Sequence, residues 1–167
     1  MVINLQIYCC YIGTKGWNSH TRNFIRNLDR EIFNIKVSNY SVDDSFELDS
    51  LDKELLHEQI LWSGDKLVKE PCDNYEEWFV PDINLVFAEA NHYLYYQDWY
   101  DKDLPLLAYT VTESTKLHET FFEKLKEFDE VYVPTKWQKD CHVEQGYYHH
   151  KIKVIPEGVD TETFFPI

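Results

Sequence analysis

The sequence predicts an α/β fold in three layers, a mostly parallel sheet with helices on both faces. Three observations carry that reading. Short apolar runs rich in β-branched and aromatic residues recur along the chain, as strands covered on both sides require. Stretches with apolar residues at helical spacing alternate with them, which implies right-handed crossovers. Glycine, proline and small polar residues separate the two kinds of segment. The 167 residues suit one domain with a single sizeable core.

In order, residues 3–12 form the first predicted strand, ending at Gly13-Thr14-Lys15-Gly16. WNSHTRNFIRNLDREI follows as a helix, with Trp17, His20, Phe24, Ile25 and Leu28 along one side and Asn18 or Ser19 as its cap. IFNIKVSNY is the second strand. An acidic block, 41–82, comes next, and its LDKELLHEQILW stretch reads as helical. Pro71 and Pro81 bracket an irregular aromatic segment. INLVFAEA and LPLLAYTV are buried strands, and HETFFEKLKEF is an amphipathic helix. DEVYVPT is a strand, KWQKDCHVEQG a short helix and KIKVIPEGV a last strand.

The formal net charge of −14 argues against nucleic acid or an anionic membrane as a partner, since both need a basic footprint. The 41–82 block holds thirteen acidic and three basic residues. It reads as a solvated insertion, or as a patch for a basic partner. No run approaches the ~18 apolar residues of a membrane-spanning helix. The apolar start lacks a basic flank and a small-residue cleavage site, so it reads as a strand and not as a signal peptide. Cys9, Cys10, Cys72 and Cys141 show no metal spacing; buried free thiols in a reducing cytoplasm are the expectation. His149 and His150 are adjacent and point apart, so with His142 they predict no metal site.

In such sheets ligands bind beyond the carboxyl ends of the strands. The loops to watch are 13–17, 89–93, 110–116, 134–137 and 156–160. Glycines in Gly13-Thr14-Lys15-Gly16 let a ligand approach main-chain N–H groups at a helix start, where the dipole favours anions. The spacing matches neither dinucleotide nor P-loop fingerprints, so a plain tight turn is the other reading. In YTVTESTKLHE, Ser114 or Thr115 can cap the next helix, and Glu119 can complete a capping box. Glu113 is not needed for that; a carboxylate there can bind sugar hydroxyls or serve in acid–base work. His92, beside Asn91, can orient a hydroxyl or take a proton, or can be structural. The aromatic residues between Tyr75 and Tyr100 fill a core, stack on sugar rings, or both.

The closing stretch carries Val131-Tyr132-Val133-Pro134-Thr135, Gly146, Lys151-Ile152, Val154-Ile155-Pro156-Glu157-Gly158-Val159-Asp160, Phe164 and Pro166. Together these resemble the middle of GT-B glycosyltransferases, specifically the retaining family four. The segment 109–117 is similar to the family's "wE" segment, and 13–17 falls where its glycine loop falls. The resemblance implies a Rossmann-like N-terminal domain, the first half of a GT-B fold, whose donor-binding second domain is expected to be absent from this chain. It implies a nucleotide-sugar co-substrate, a sugar or glycan acceptor, no other cofactor, and weak or no activity alone. A homodimer through the exposed second-domain face is expected.

By the resemblance, Gly13, Thr14, Lys15, Gly16 and Trp17 face the donor diphosphate and acceptor. Glu113 and His92 are the catalytic candidates, with Glu89, Asn91, Thr112 and Ser114 as further ligand contacts. The family often has a histidine near the transferred sugar where Glu89 aligns here. Glu157, Gly158 and Asp160 begin the hinge. The alternatives are a non-catalytic binding or regulatory module on the same fold, and another Rossmann-like enzyme with a phosphate-bearing ligand.

Overall fold

The computed structural model describes residues 1–14, 16–40, 46–63 and 66–158, and of Trp62, Asn91, Leu94 and Tyr95 only the backbone. In chain order the elements are β1 (Ile3–Cys9), α1 (Gly16–Arg26), β2 (Phe33–Asn39), α2 (Ser50–Leu55), β3 (Leu56–Ser63) and β4 (Lys66–Pro71). They continue with β5 (Ile83–Phe87), a 3-10 turn (Ala90–His92), α3 (Tyr93–Tyr96), β6 (Leu106–Tyr109), α4 (Glu119–Leu125), β7 (Glu130–Val133), α5 (Lys136–Glu144) and β8 (Ile152–Val154).

The strands form one eight-stranded sheet in the order β4-β3-β2-β1-β5-β6-β7-β8. Every neighbouring pair is parallel except β3 with β4. Alternate residues face opposite layers, as the pleat dictates. Leu5, Ile7 and Cys9 of β1, Leu85 and Phe87 of β5 and Tyr109 of β6 pack with Ile25 of α1 and Leu55 of α2. Tyr8, Val86, Ala108, Val131 and Val133 face the other way, onto Tyr93 and Tyr96 of α3 and Phe122 and Leu125 of α4. The result is the Rossmann-like three-layer fold that the sequence predicts. The chain starts in the middle at β1, runs outward to β4 and crosses back to β5. The crevice between β1 and β5 is therefore the topological switch point.

Several predicted elements change. The 51–62 stretch is not one helix: α2 ends at Leu55 and β3 begins at Leu56. Asp49 and Asp52 form a reciprocal capping box that starts α2. A β-bulge at His57 then turns Leu56 to one face and Ile60 to the other. That breaks the two-residue alternation of a strand and leaves a four-residue apolar spacing that imitates a helix. β3 turns into β4, so the acidic block supplies α2 and an antiparallel hairpin to the sheet edge. The first helix is shorter than predicted, and Asn18 lies inside it and bonds backwards instead of capping it. The cap of α4 is His118, whose Nδ1 accepts from the Thr120 N–H at 3.3 Å, and not Ser114 or Thr115. Of the four cysteines only Cys9 and Cys141 are buried; Cys10 and Cys72 are half-buried. Among the described residues no helix is long and apolar enough to cross a membrane.

Candidate functional site

The loop after β1 is held from three sides. Asn39, at the end of β2, accepts through Oδ1 from the N–H groups of Tyr11 and Ile12 at 2.7 and 3.0 Å. Asn18 donates to the carbonyls of Cys10 and Ile12. The buried Arg22 guanidinium donates to the carbonyls of Tyr11 and Gly13 at 2.6 and 2.7 Å. Gly13 has φ +138°, and a Cβ there would stand 3.0 Å from Asn18 Cγ, so both backbone and space require glycine. Gly16 differs: a Cβ would meet nothing within 4 Å, so the chain itself makes no demand for glycine there. Thr14 is exposed, and Lys15 lies outside the described residues.

Next to this loop a cavity of about 590 Å³ opens at the carboxyl ends of the central strands. Trp17 at the start of α1, Glu89 after β5 and the 111–118 loop after β6 line it, with Phe121 of α4 closing one side. Trp17, Glu89, Thr112, Glu113 and Ser114, all candidates from sequence, thus share one concavity. Glu113 and Ser114 are exposed, and Glu89 precedes the 3-10 turn without a side-chain capping bond. Ala90, Val111, Lys116, Leu117 and His118 line the cavity too and were not singled out. The apolar ones read as ordinary core, and His118 as part of a helix; no spacing distinguished them.

His92 does not line the cavity. It sits in the 3-10 turn with its ring 6.1 Å from that of Tyr40, on the β2 side of the switch point. Burial lowers its pKa, opposed by Glu89. Asn91 belongs to the same turn, and its side chain is outside the described atoms.

A second cluster adjoins Trp17. The His20 ring packs against Trp17, Phe87 and Tyr109, and Phe87 and Tyr109 stack at 4.5 Å with planes 5° apart. Glu157, in the segment leaving β8, brings Oε1 to 3.4 Å from His20 Nε2. Burial lowers the His20 pKa and the Glu157 carboxylate opposes it. Tyr109 donates to the Ile155 carbonyl at 3.1 Å, so the outgoing segment is tied back across the strand ends. Gly158 is the last described residue; Asp160 lies outside.

The fold and the crevice define a mostly parallel α/β domain with a cavity at the carboxyl ends of its central strands. The model of the glycosyl transferase family 4 group matches residues 79–164, just over half of the chain. The chain belongs to that family. The match spans Glu89, the 111–118 loop and Phe121, but not the glycine loop or Trp17. No curated protein matches the chain.

Proposed function

We propose that residues 1–167 form the acceptor-side domain of a retaining, nucleotide-sugar-dependent glycosyltransferase, and that the cavity binds the acceptor sugar. The observation that carries this reading is the convergence of Trp17, Glu89 and Glu113 on one concavity at the switch point of a family 4 domain. An indole face stacks on the C–H edges of a sugar ring, and carboxylates accept its hydroxyl protons. Glu113 is the candidate for acid–base work on the acceptor hydroxyl. The amino end of α1, with Gly16 open above it, is suited to a diphosphate. Neutralising the donor phosphates takes further cationic or dipolar groups, which a second domain would supply across the hinge at 157–160. Little or no turnover is expected from residues 1–167 alone.

Isothermal calorimetry and a sugar-transfer assay on the 167-residue chain test this. Weak sugar binding, lost in Glu113→Ala, with negligible transfer is the expected result. Robust transfer by the chain alone, or sugar binding indifferent to Trp17→Ala and Glu113→Ala, overturns it. The open α1 terminus also supports a second reading, an enzyme with another phosphate-bearing ligand. Thermal stabilisation by a dinucleotide but not by uridine or guanosine diphosphate would favour that reading.

A further inference from the structure

Helix α5 with its C-cap residue Gln145 carries a polar stripe where a packed helix would normally be apolar. Gln138, His142 and Gln145 stand at i, i+4 and i+7 and so share one face. Gln138 is 5% and His142 2% exposed. Burying such groups is unfavourable unless they bond to something. Each of the three is directed at the loop that lines the cavity. Gln138 Nε2 donates to the Thr112 carbonyl at 2.7 Å. His142 Nε2 lies 3.5 Å from Thr112 Oγ1. The Gln145 amide makes a two-point clasp: Oε1 accepts from the Leu117 N–H at 2.9 Å and Nε2 donates to the Leu117 carbonyl at 2.7 Å.

The clasped residues are the two ends of one short loop. Between them lie Glu113, Ser114 and Lys116, exposed and lining the cavity. Within this stretch the hydrogen bond made by Ser114 Oγ, to the Lys116 carbonyl, is local. The loop's register against the sheet is thus set by α5. The helix is itself firmly anchored. Thr135 Oγ1 accepts from the Gln138 N–H at its start. At its end Gly146, with φ +104°, closes a Schellman motif in which Gly146 N–H bonds the Val143 carbonyl and Tyr147 N–H that of His142.

We infer that Gln138, His142 and Gln145 are positioning residues: they hold the 112–117 loop from behind, and through it aim Glu113 at the acceptor. This rests on the acceptor-site reading above, and none of the three touches the cavity. A side chain that holds both the N–H and the carbonyl of one residue does for a loop what a neighbouring strand does for a strand. Freed of it, Glu113 samples many orientations, and ligand binding must order the loop at a cost in affinity.

The test compares Gln145→Leu, Gln145→Glu and Gln138→Leu with the unaltered chain, by amide hydrogen exchange and NMR binding. The probes are methyl α-glucoside, methyl α-galactoside and methyl α-mannoside. In Gln145→Leu, exchange at the Leu117 amide should rise at least tenfold while β6 amides stay protected, and binding should weaken about tenfold. Gln145→Glu keeps an acceptor for the Leu117 N–H and should restore its protection and part of the affinity; a purely space-filling role would instead let the similarly sized leucine serve as well. Gln138→Leu should loosen Thr112 and leave Leu117 protected. Unchanged exchange at Leu117 in Gln145→Leu, or raised exchange with undiminished binding, overturns the inference. If the unaltered chain binds none of the glycosides, the acceptor-site reading fails, and the exchange rates still decide what holds the loop.

Discussion

One face of the sheet is built in two ways. On the β5–β8 side it is apolar: Val86, Leu106, Ala108, Val131 and Val133 pack under α3 and α4, with Phe128 at 0% exposure among them. On the β1–β4 side the same face carries a polar row. Gln6 donates to Ser38 at 3.0 Å, Ser38 donates to Glu58 at 2.7 Å, and Lys69 reaches Glu58 at 3.1 Å, one residue from each of four strands. Beside it Lys36 pairs with Glu76 at 2.6 Å. The family match and most of the cavity lining belong to the first side. Helices cover that side and its strands deliver short loops to the crevice. Beyond Tyr8, which packs against Tyr96 of α3, the row satisfies itself, and the irregular 72–82 segment lies over this face through Glu76 and the stack of Tyr75 on His57. Apolar packing is forgiving in detail and strong in sum, whereas a polar row is only as good as its weakest partner.

The largest expected effect breaks the apolar side. Phe128→Ala should cost about 3–5 kcal/mol, as large-to-small changes in a full core do; urea denaturation measures it. The next effect is in pH. Burial holds the His142 pKa down, from 6.5 to about 4, so the folded chain keeps it neutral where the unfolded chain protonates it. Between those values the unfolded state binds more protons, and stability falls as pH drops from about 6.5 towards 4. The loss from this group by pH 4.5 is about 2–3 kcal/mol, and His142→Gln should flatten that limb of the stability profile. His20, His57 and His92 are lowered by burial too and add in the same direction.

The polar row gives the third test. Ser38→Ala leaves Gln6 and Glu58 without their shared partner and should cost about 1–3 kcal/mol. Replacing three members together, Gln6→Leu with Ser38→Val and Glu58→Leu, should cost less than the single change, because only Lys69, 25% exposed and able to turn to water, then loses its partner. If the triple change is as damaging as the single one, the two sides do not differ as described. The smallest effect is at the crevice: Glu113→Ala should change stability by less than about 0.5 kcal/mol, as exposed positions do, while abolishing sugar binding.

The β5–β8 side was legible because its signals are local and agree. INLVFAEA, LPLLAYTV, DEVYVPT and KIKVIPEGV are strands where apolar runs predict them, and the helix after Thr135 is capped by Thr135 itself. The β3–β4 hairpin was not, because the bulge at His57 is a relation between β3 and β2, and all the chain around it shows is an apolar spacing that imitates a helix. In the crevice, Glu113 stood out as a carboxylate that no capping role required. His118 did not, since a histidine at a helix start carries no signal of its own. Gln138 and Gln145 did not either, since their partners lie 26 and 28 residues away.

The sequence by itself determined the layers, the direction of most strands and the loops that leave the carboxyl ends of the strands. Each follows from periodicity and turn chemistry within a few residues. Only the tertiary structure decided which loop residues share a cavity, which way His92 faces and what holds Glu113 in place. Those depend on contacts between segments far apart in the chain, and the pattern within one segment cannot encode the position of another.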